Sequence, residues 1–116
     1  MSGRIEYVYF ARADNFIKIG RVSKGSVSSR IRQLQCGCPN KIEVDHYMKI
    51  YLRSTLSNIG ESVERYLQSL CSSGHCRGEW YYADTVEDKI FNKLQTIKEE
   101  ILNMNHLDIY EIEWLS

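Results

Sequence analysis

The sequence predicts an α/β fold, in which a small mixed or antiparallel sheet of about three to four strands is flanked by helices. Aromatic and β-branched residues cluster in short runs, as strands require, and apolar residues elsewhere recur at helical steps. The 116 residues, of which 43% are hydrophobic and 26% charged, suit one ordinary globular domain. We therefore expect a single domain over residues 1–116.

Strands are predicted where aromatic and β-branched residues cluster or alternate with polar ones. The first two runs are separated by only four residues, so they are expected to form a β-hairpin. A last run near the C-terminus is expected to add an edge strand. The predicted strands and extended pieces are residues 5–11, 16–20, 42–52, 80–82 and 107–115.

Helices are predicted where apolar residues recur at steps of three and four. Ser26 is placed to cap the first helix, and Asn58 with Glu61 is placed to form a capping box at the second. Asp84 opens the third, which is the longest, and residues 72–79 are interpreted as the loop before it. The predicted helices are residues 26–35, 59–70 and 84–104.

Tyr9 and Lys18 are predicted to be neighbours on one face of the hairpin. With a turn of two or four residues, Tyr9 lies opposite Gly20 and Ala11 lies opposite Lys18. An amine beside a phenol favours the phenolate, because the opposite charge stabilises the ionised form. Such a tyrosine could accept a proton from attacking water. The alternative is that Tyr9 is an ordinary strand residue in a chain with eight tyrosines.

Two charged helix residues are predicted to lie near the sheet. Arg30 falls about 60° from the centre of the apolar stripe of its helix, whereas Arg32 falls more than about 130° away and faces water. A guanidinium at that position suits a phosphate, since its planar donors bind two oxygens at once. Glu64 lies next to the stripe of the second helix, where a sheltered carboxylate suits Mg²⁺. Taken singly, a snorkelling arginine and a solvated glutamate are the commoner alternatives.

The formal net charge is zero, but the charges are unevenly distributed along the chain. Residues 1–53 carry ten Lys/Arg against four Asp/Glu, and residues 54–116 carry five against eleven. A basic half suits phosphate and an acidic half can supply carboxylates for a metal ion, unless folding interleaves the two halves.

The four cysteines are interpreted as thiols, because no secretory signal is visible in the sequence. No stretch approaches the roughly 20 apolar residues that span a bilayer. These features predict a soluble, cytoplasmic protein in a reducing compartment, with no membrane partner. One alternative use of the cysteines is a structural zinc site, which has enough soft ligands but no standard spacing. Its residues would be Cys36, Cys38, Cys71, His75 and Cys76.

Five short motifs follow one another in a recognisable order. They are Val8-Tyr9, Lys18-Ile19-Gly20, Arg30 within RIRQLQCGCP, Glu64 within VERYLQSL, and Arg77-Gly78-Glu79-Trp80-Tyr81. Together they resemble the GIY-YIG nuclease superfamily, and the most similar branch is the phage and bacterial one with KIG and GEWF-type motifs. The resemblance runs from about residue 7 to 90, and it is specific as a set although each motif alone is weak.

The resemblance implies a GIY-YIG-like fold and a metal-dependent endonuclease that hydrolyses DNA. In such an enzyme Tyr9 is the general base or water positioner, Arg30 binds the scissile phosphate, and Glu64 binds one Mg²⁺ or Mn²⁺ ion. The full set of predicted site residues is Tyr9, Lys18, Arg30 and Glu64 as catalytic, and Arg21, Arg32 and Glu79 as substrate-binding. DNA is the expected partner, and a homodimer or a targeting partner stays open.

The chain departs from the family pattern at three places. Tyr7-Val8 stands where the family has Gly-Ile, Lys18 replaces the second tyrosine, and Gln68 stands where this branch often has histidine. These departures leave one alternative, a catalytically inactive GIY-YIG-fold module that binds nucleic acid or protein.

Overall fold

The computed structural model describes residues 4–23, 25–53, 58–104 and 108–116. The strands found in these residues are β1 (Arg4–Ala13), β2 (Phe16–Val22), β3 (Glu43–Leu52), β4 (His75–Arg77), β5 (Trp80–Tyr82) and β6 (Ile109–Leu115). The helices are α1 (Val27–Cys36), α2 (Ile59–Leu70), α3 (Ala83–Lys89) and α4 (Leu94–Leu102). No helix in the described part of the chain is long and apolar enough to cross a membrane.

The strands form one sheet in the order β4-β5-β2-β1-β3-β6, and every neighbouring pair is antiparallel. The predicted α/β class is confirmed, but the described sheet has six strands and not three to four. The predicted C-terminal edge strand is confirmed as β6, although residue 107 lies outside the described residues. The predicted loop 72–79 contains β4, whose three exposed side chains give no alternation from which a strand can be predicted.

The predicted single helix over residues 84–104 is wrong, because α3 and α4 are separated by a 3₁₀ turn at Phe91–Lys93. In this turn the Phe91 ring packs edge-on against Phe10 of β1, with ring centroids 5.2 Å apart. The buried apolar stripe nevertheless continues across the break through Val86, Ile90, Ile97 and Ile101. The spacing of apolar residues therefore could not distinguish one helix from two.

The two earlier helices begin near their predicted positions. Ser26 caps α1 as predicted, and its hydroxyl oxygen accepts a hydrogen bond from the Ser29 amide at 3.0 Å. The predicted capping box at α2 is not formed, because Asn58 makes no side-chain capping bond and Glu61 pairs with Arg65 at 2.7 Å.

The sheet divides the hydrophobic core into two clusters. The larger cluster lies between the sheet and α2, α3 and α4, and the smaller one lies under α1. Side chains alternate along β1, so that Val8 and Phe10 join the larger cluster while Tyr9 and Ala11 join the smaller. Tyr9 therefore belongs to the face that α1 covers.

Only part of the outer edge of β2 is paired with another strand. β5 pairs with residues 16–18 of β2, and the Ile19 amide donates to the Glu79 carbonyl at 3.0 Å. Beyond this point no strand in the described residues pairs with that edge, and Gln68 of α2 donates to the Ile19 carbonyl at 3.0 Å. Side chains from both faces of the sheet meet at this gap.

Candidate active site

The gap beside β2 is a cavity of about 200 Å³. The described residues that line it are Tyr9, Lys18, Arg21, Arg30, Leu34, Glu64 and Glu79. All four residues predicted to be catalytic therefore line one cavity, together with two of the three predicted to bind substrate. Arg32 is not among them and is exposed on α1, as its angle from the apolar stripe predicts.

Tyr9 packs directly on the glycine opposite it. The predicted register is confirmed, because Tyr9 pairs with Gly20 and Ala11 pairs with Lys18. A Cβ atom on Gly20 would overlap the ring and hydroxyl oxygen of Tyr9, so only glycine leaves room for the ring at this position. The Tyr9 side chain is held firmly as a result, and only 2% of the residue is exposed.

We expect Gly20→Ala to destabilise the protein by about 1–3 kcal/mol, because the added methyl group collides with the buried Tyr9 ring. The free energy of unfolding in denaturant measures this effect. Gly37→Ala is the matched control, since a Cβ atom there meets nothing within 4 Å. Equal stabilities for the two variants would contradict this packing of Tyr9.

The cation that acts on Tyr9 is Arg30 and not Lys18. Lys18 Nζ instead donates to Glu79 Oε1 at 2.7 Å. Burial raises the pKa of Tyr9 to about 12; the charge of Arg30 opposes this rise, and the nearby carboxylates reinforce it. The predicted phenolate, stabilised by Lys18, is therefore wrong, because burial favours the neutral phenol and Glu79 pairs with the amine.

Glu64 and Glu79 form a hydrogen-bonded carboxyl pair across the cavity. Burial and the adjacent Glu79 raise the pKa of Glu64 to about 7, against the opposing charges of Arg21 and Lys18. Burial also acts to raise the pKa of Glu79, but the hydrogen bond and charge of Lys18 bring that pKa below its usual value. Below about pH 7 the pair therefore holds one proton, mainly on Glu64.

The carboxyl pair has the donor chemistry that Mg²⁺ or Mn²⁺ needs. Only 7% of Glu64 is exposed, and Arg21 Nε lies 4.0 Å from its Oε1, beyond hydrogen-bond range. Two carboxyl groups that retain a proton in a buried position are stabilised by added positive charge, which a bound cation can supply in place of the proton. No cluster of three or more His, Cys, Asp or Glu able to hold a metal occurs among the described residues. An ion here would therefore bind Glu64 and Glu79 and keep several waters, as Mg²⁺ commonly does.

We expect the metal-free protein to lose stability as the pH rises from about 5 to 8. Glu64 has a pKa of about 7 when folded and a reference value of 4.5, so between these values only the folded state keeps the proton. The contribution of Glu64 to stability is complete below pH 4.5 and is lost as the pH rises through about 7.

Melting temperatures of wild type and Glu64→Gln in EDTA, measured across this range, isolate the effect. The variant lacks the titrating group, so the wild-type curve should fall more steeply with pH. Parallel curves would contradict the raised pKa of Glu64.

Arg30 reaches the cavity from α1, on the face of the sheet that also carries Tyr9. It is exposed and forms no ion pair or side-chain hydrogen bond with the described residues. The donors of its guanidinium are thus available for an anion, and a phosphate can accept two of them at once.

Glu6 is a buried carboxylate near the cavity that the sequence pattern did not single out. It is 0% exposed, pairs with Arg4, and lies 3.7 Å from Nη1 of Arg21. Since Arg21 also faces Glu64, Glu6 helps to fix the cation beside the carboxyl pair. The sequence did indicate that Glu6 is buried, because the alternation of side chains along β1 places it on the same buried face as Val8.

The four cysteines lie in different parts of the fold. Cys71 is buried in the larger core cluster, where burial raises the pKa of its thiol to about 11. Cys36 and Cys38 lie at the end of α1 on the other face of the sheet, and Cys76 is exposed on β4. Among the described residues these side chains form no cluster of three or more metal ligands, so the structural zinc site gains no support and stays an untested alternative.

Comparison of the chain with protein-family models, curated proteins and solved structures gives no match. The function therefore has to be inferred from the chemistry of the cavity and from the resemblance of the motifs.

Proposed function

We propose that this protein is a metal-dependent endonuclease of the GIY-YIG type, which hydrolyses DNA phosphodiester bonds. The observation that supports this proposal is the meeting, in one cavity, of a phenol, an available guanidinium and a buried carboxyl pair. Tyr9, Arg30 and Glu64 come from β1, α1 and α2. No local sequence pattern brings the three together, so their meeting is a property of the fold.

Arg30 binds the scissile phosphate. Its guanidinium offers two parallel donors to a pair of phosphate oxygens, which orients the phosphate as well as attracting it. The same donors stabilise the negative charge that increases on those oxygens as water attacks.

Glu64 holds the divalent ion, with Glu79 beside it. When bound there, such an ion would supply Lewis-acid stabilisation of the charge on the phosphate and on the leaving oxygen. Glu64 must give up its proton to bind a metal, and its pKa of about 7 makes this loss easy at the pH of a cell. Lys18 keeps Glu79 ionised through their 2.7 Å contact, so that Glu79 can assist Glu64 but is not expected to hold the ion alone.

Tyr9 orients the attacking water. A pKa of about 12 keeps the phenol protonated at neutral pH, so its hydroxyl can both donate and accept a hydrogen bond. The charges of Glu64 and Glu79 contribute to that high pKa, whereas Arg30 lowers it. The high pKa supports water positioning over proton abstraction as the role of Tyr9.

The substrate is recognised through its phosphates. Contacts to phosphate fix the position of the DNA but carry no sequence information directly. Cleavage therefore depends on DNA structure, or on a partner that directs the enzyme to its target.

Gln68, which stands where the resembling branch often has histidine, donates to the Ile19 carbonyl at 3.0 Å and does not line the cavity. This departure favours a second candidate, a GIY-YIG-fold module that binds nucleic acid without cleaving it. Such a module would use Arg30 for phosphate and would need neither the metal ion nor an ionised Glu64.

Incubation with supercoiled, linear and branched DNA in Mg²⁺ or Mn²⁺ separates the two candidates. A nuclease gives metal-dependent products, and Glu64→Ala removes the products while DNA binding persists. A binding module retains DNA and gives no products with any metal. If no DNA is cleaved under any of these conditions, the nuclease proposal fails.

A further inference from the structure

A second cavity, of about 470 Å³, lies under the same helix as the first. Val27 and Ile31 of α1 line this cavity, whereas Arg30 and Leu34 of the same helix line the candidate active site. The two cavities are therefore neighbours along α1, less than one helical turn apart.

The walls of the second cavity are aromatic and uncharged. Tyr7 and Tyr47 form the sheet side, with ring centroids 6.0 Å apart and planes tilted by 56°. The α1 side is aliphatic, through Val27 and Ile31, and Ser28 adds a hydroxyl. None of the described residues that line the cavity carries a charge. Such walls suit a flat, neutral ring with polar edges, and they offer nothing to hold a phosphate or a metal ion.

The second cavity begins beside Tyr9. Tyr47 pairs directly with Tyr9 across β3 and β1, and Tyr7 precedes Tyr9 by two residues on the same face. Two residues of a strand span about 6–7 Å. When Arg30 holds a phosphate, the base of the adjoining nucleotide is therefore within reach of Tyr7 and Tyr47.

We propose that this cavity binds one unpaired nucleobase, that of the nucleotide next to the phosphate held by Arg30. The inference rests on the proposed DNA substrate and adds a preference to it. The base stacks on Tyr7 or Tyr47 and is covered by the aliphatic side chains of α1. Stacking of this kind accepts any base, because every base has a π-face. A base in an intact duplex must first leave the stack, so the cavity favours single-stranded, branched or mismatched DNA.

The test uses a short single-stranded thymine oligonucleotide that carries one 2-aminopurine, whose fluorescence is quenched by stacking. The protein is Glu64→Ala in EDTA, so that cleavage does not interfere. We expect quenching on binding. Replacing Tyr7 and Tyr47 with leucine in this background should remove the quenching and weaken binding about ten-fold. Tyr51→Leu is the matched control, since Tyr51 lies on the same face of β3, packs against Tyr110, and does not line the cavity.

A second measurement needs no altered tyrosine. An oligonucleotide of the same length without bases keeps every phosphate, so it should bind about ten-fold more weakly than the thymine oligonucleotide. Equal affinity for the two oligonucleotides overturns the proposal, as does quenching that survives loss of both tyrosines. Cleavage by wild type is a separate readout. Metal-dependent cleavage without quenching overturns only the proposed nucleobase-binding cavity. Quenching without cleavage overturns only the proposed nuclease function.

Discussion

Glu64→Ala is expected to lower the rate of metal-dependent DNA cleavage by about 10³-fold. Glu64 is the buried member of the carboxyl pair, and Glu79 alone, engaged by Lys18, is not expected to hold the ion. Single-turnover nicking rates at saturating protein measure the effect. Glu61→Ala is the matched control, because Glu61 lies almost one turn earlier on α2, pairs with Arg65, and does not line the cavity.

The same variant should lose metal binding, and the wild type should bind metal more tightly as the pH rises. Below about pH 7 a proton on Glu64 competes with the ion, and above it the carboxylate is free. Calorimetric titration with Mn²⁺ at pH 6 and pH 8 measures this difference in wild type and in Glu64→Ala. Mn²⁺ binding that is independent of pH, or that survives in the variant, would contradict the assignment of Glu64 as ligand.

Tyr9→Phe is expected to lower the cleavage rate by about 10²-fold, because the attacking water is no longer oriented, while stability and DNA affinity stay nearly unchanged. The phenyl ring can keep its packing on Gly20, so that only the hydroxyl is lost. Single-turnover rates and binding isotherms, measured with the same protein preparations, separate the two effects.

Tyr51→Phe serves as the control for the loss of a phenol hydroxyl elsewhere in the protein. The Tyr51 hydroxyl donates a hydrogen bond to Glu113 Oε1 at 3.0 Å, and Tyr51 does not line the cavity. A Tyr9→Phe rate equal to that of the control would assign Tyr9 a structural role only.

The parts of the site that follow from local geometry could be predicted from the sequence. The short turn fixes the register of the hairpin, so the pairing of Tyr9 with Gly20 followed from counting residues. The apolar stripe of α1 distinguished Arg30, which lines the cavity, from Arg32, which does not. Both inferences depend on the fixed periods of strands and helices.

The parts that depend on distant partners could not be predicted. Lys18 was predicted to act on Tyr9, its neighbour in the hairpin, but Glu79, which follows it by 61 residues, pairs with it instead. Burial then raises the pKa of Tyr9, and the charge of Glu79 adds to that rise, where the sequence predicted stabilisation of the phenolate. The direction of a pKa shift depends on which side chains surround a group after folding, and hairpin spacing does not contain that information.

Two features of the fold could not be predicted from the sequence for the same reason. They are the break between α3 and α4 and the strand β4. The turn at Phe91 preserves the apolar spacing, so that the pattern is the same with or without the break. β4 is defined by its hydrogen bonds to β5 and not by its exposed side chains. In both cases tertiary contacts decide the local structure.

Nicking of supercoiled plasmid DNA by the purified protein, followed in Mn²⁺ and in EDTA, decides whether the cavity is a phosphodiesterase site. We predict that nicked circles accumulate with Mn²⁺ and not with EDTA, and that Glu64→Ala prepared in the same way gives none. No nicking by the wild type, or equal nicking by Glu64→Ala, would contradict this assignment of the cavity.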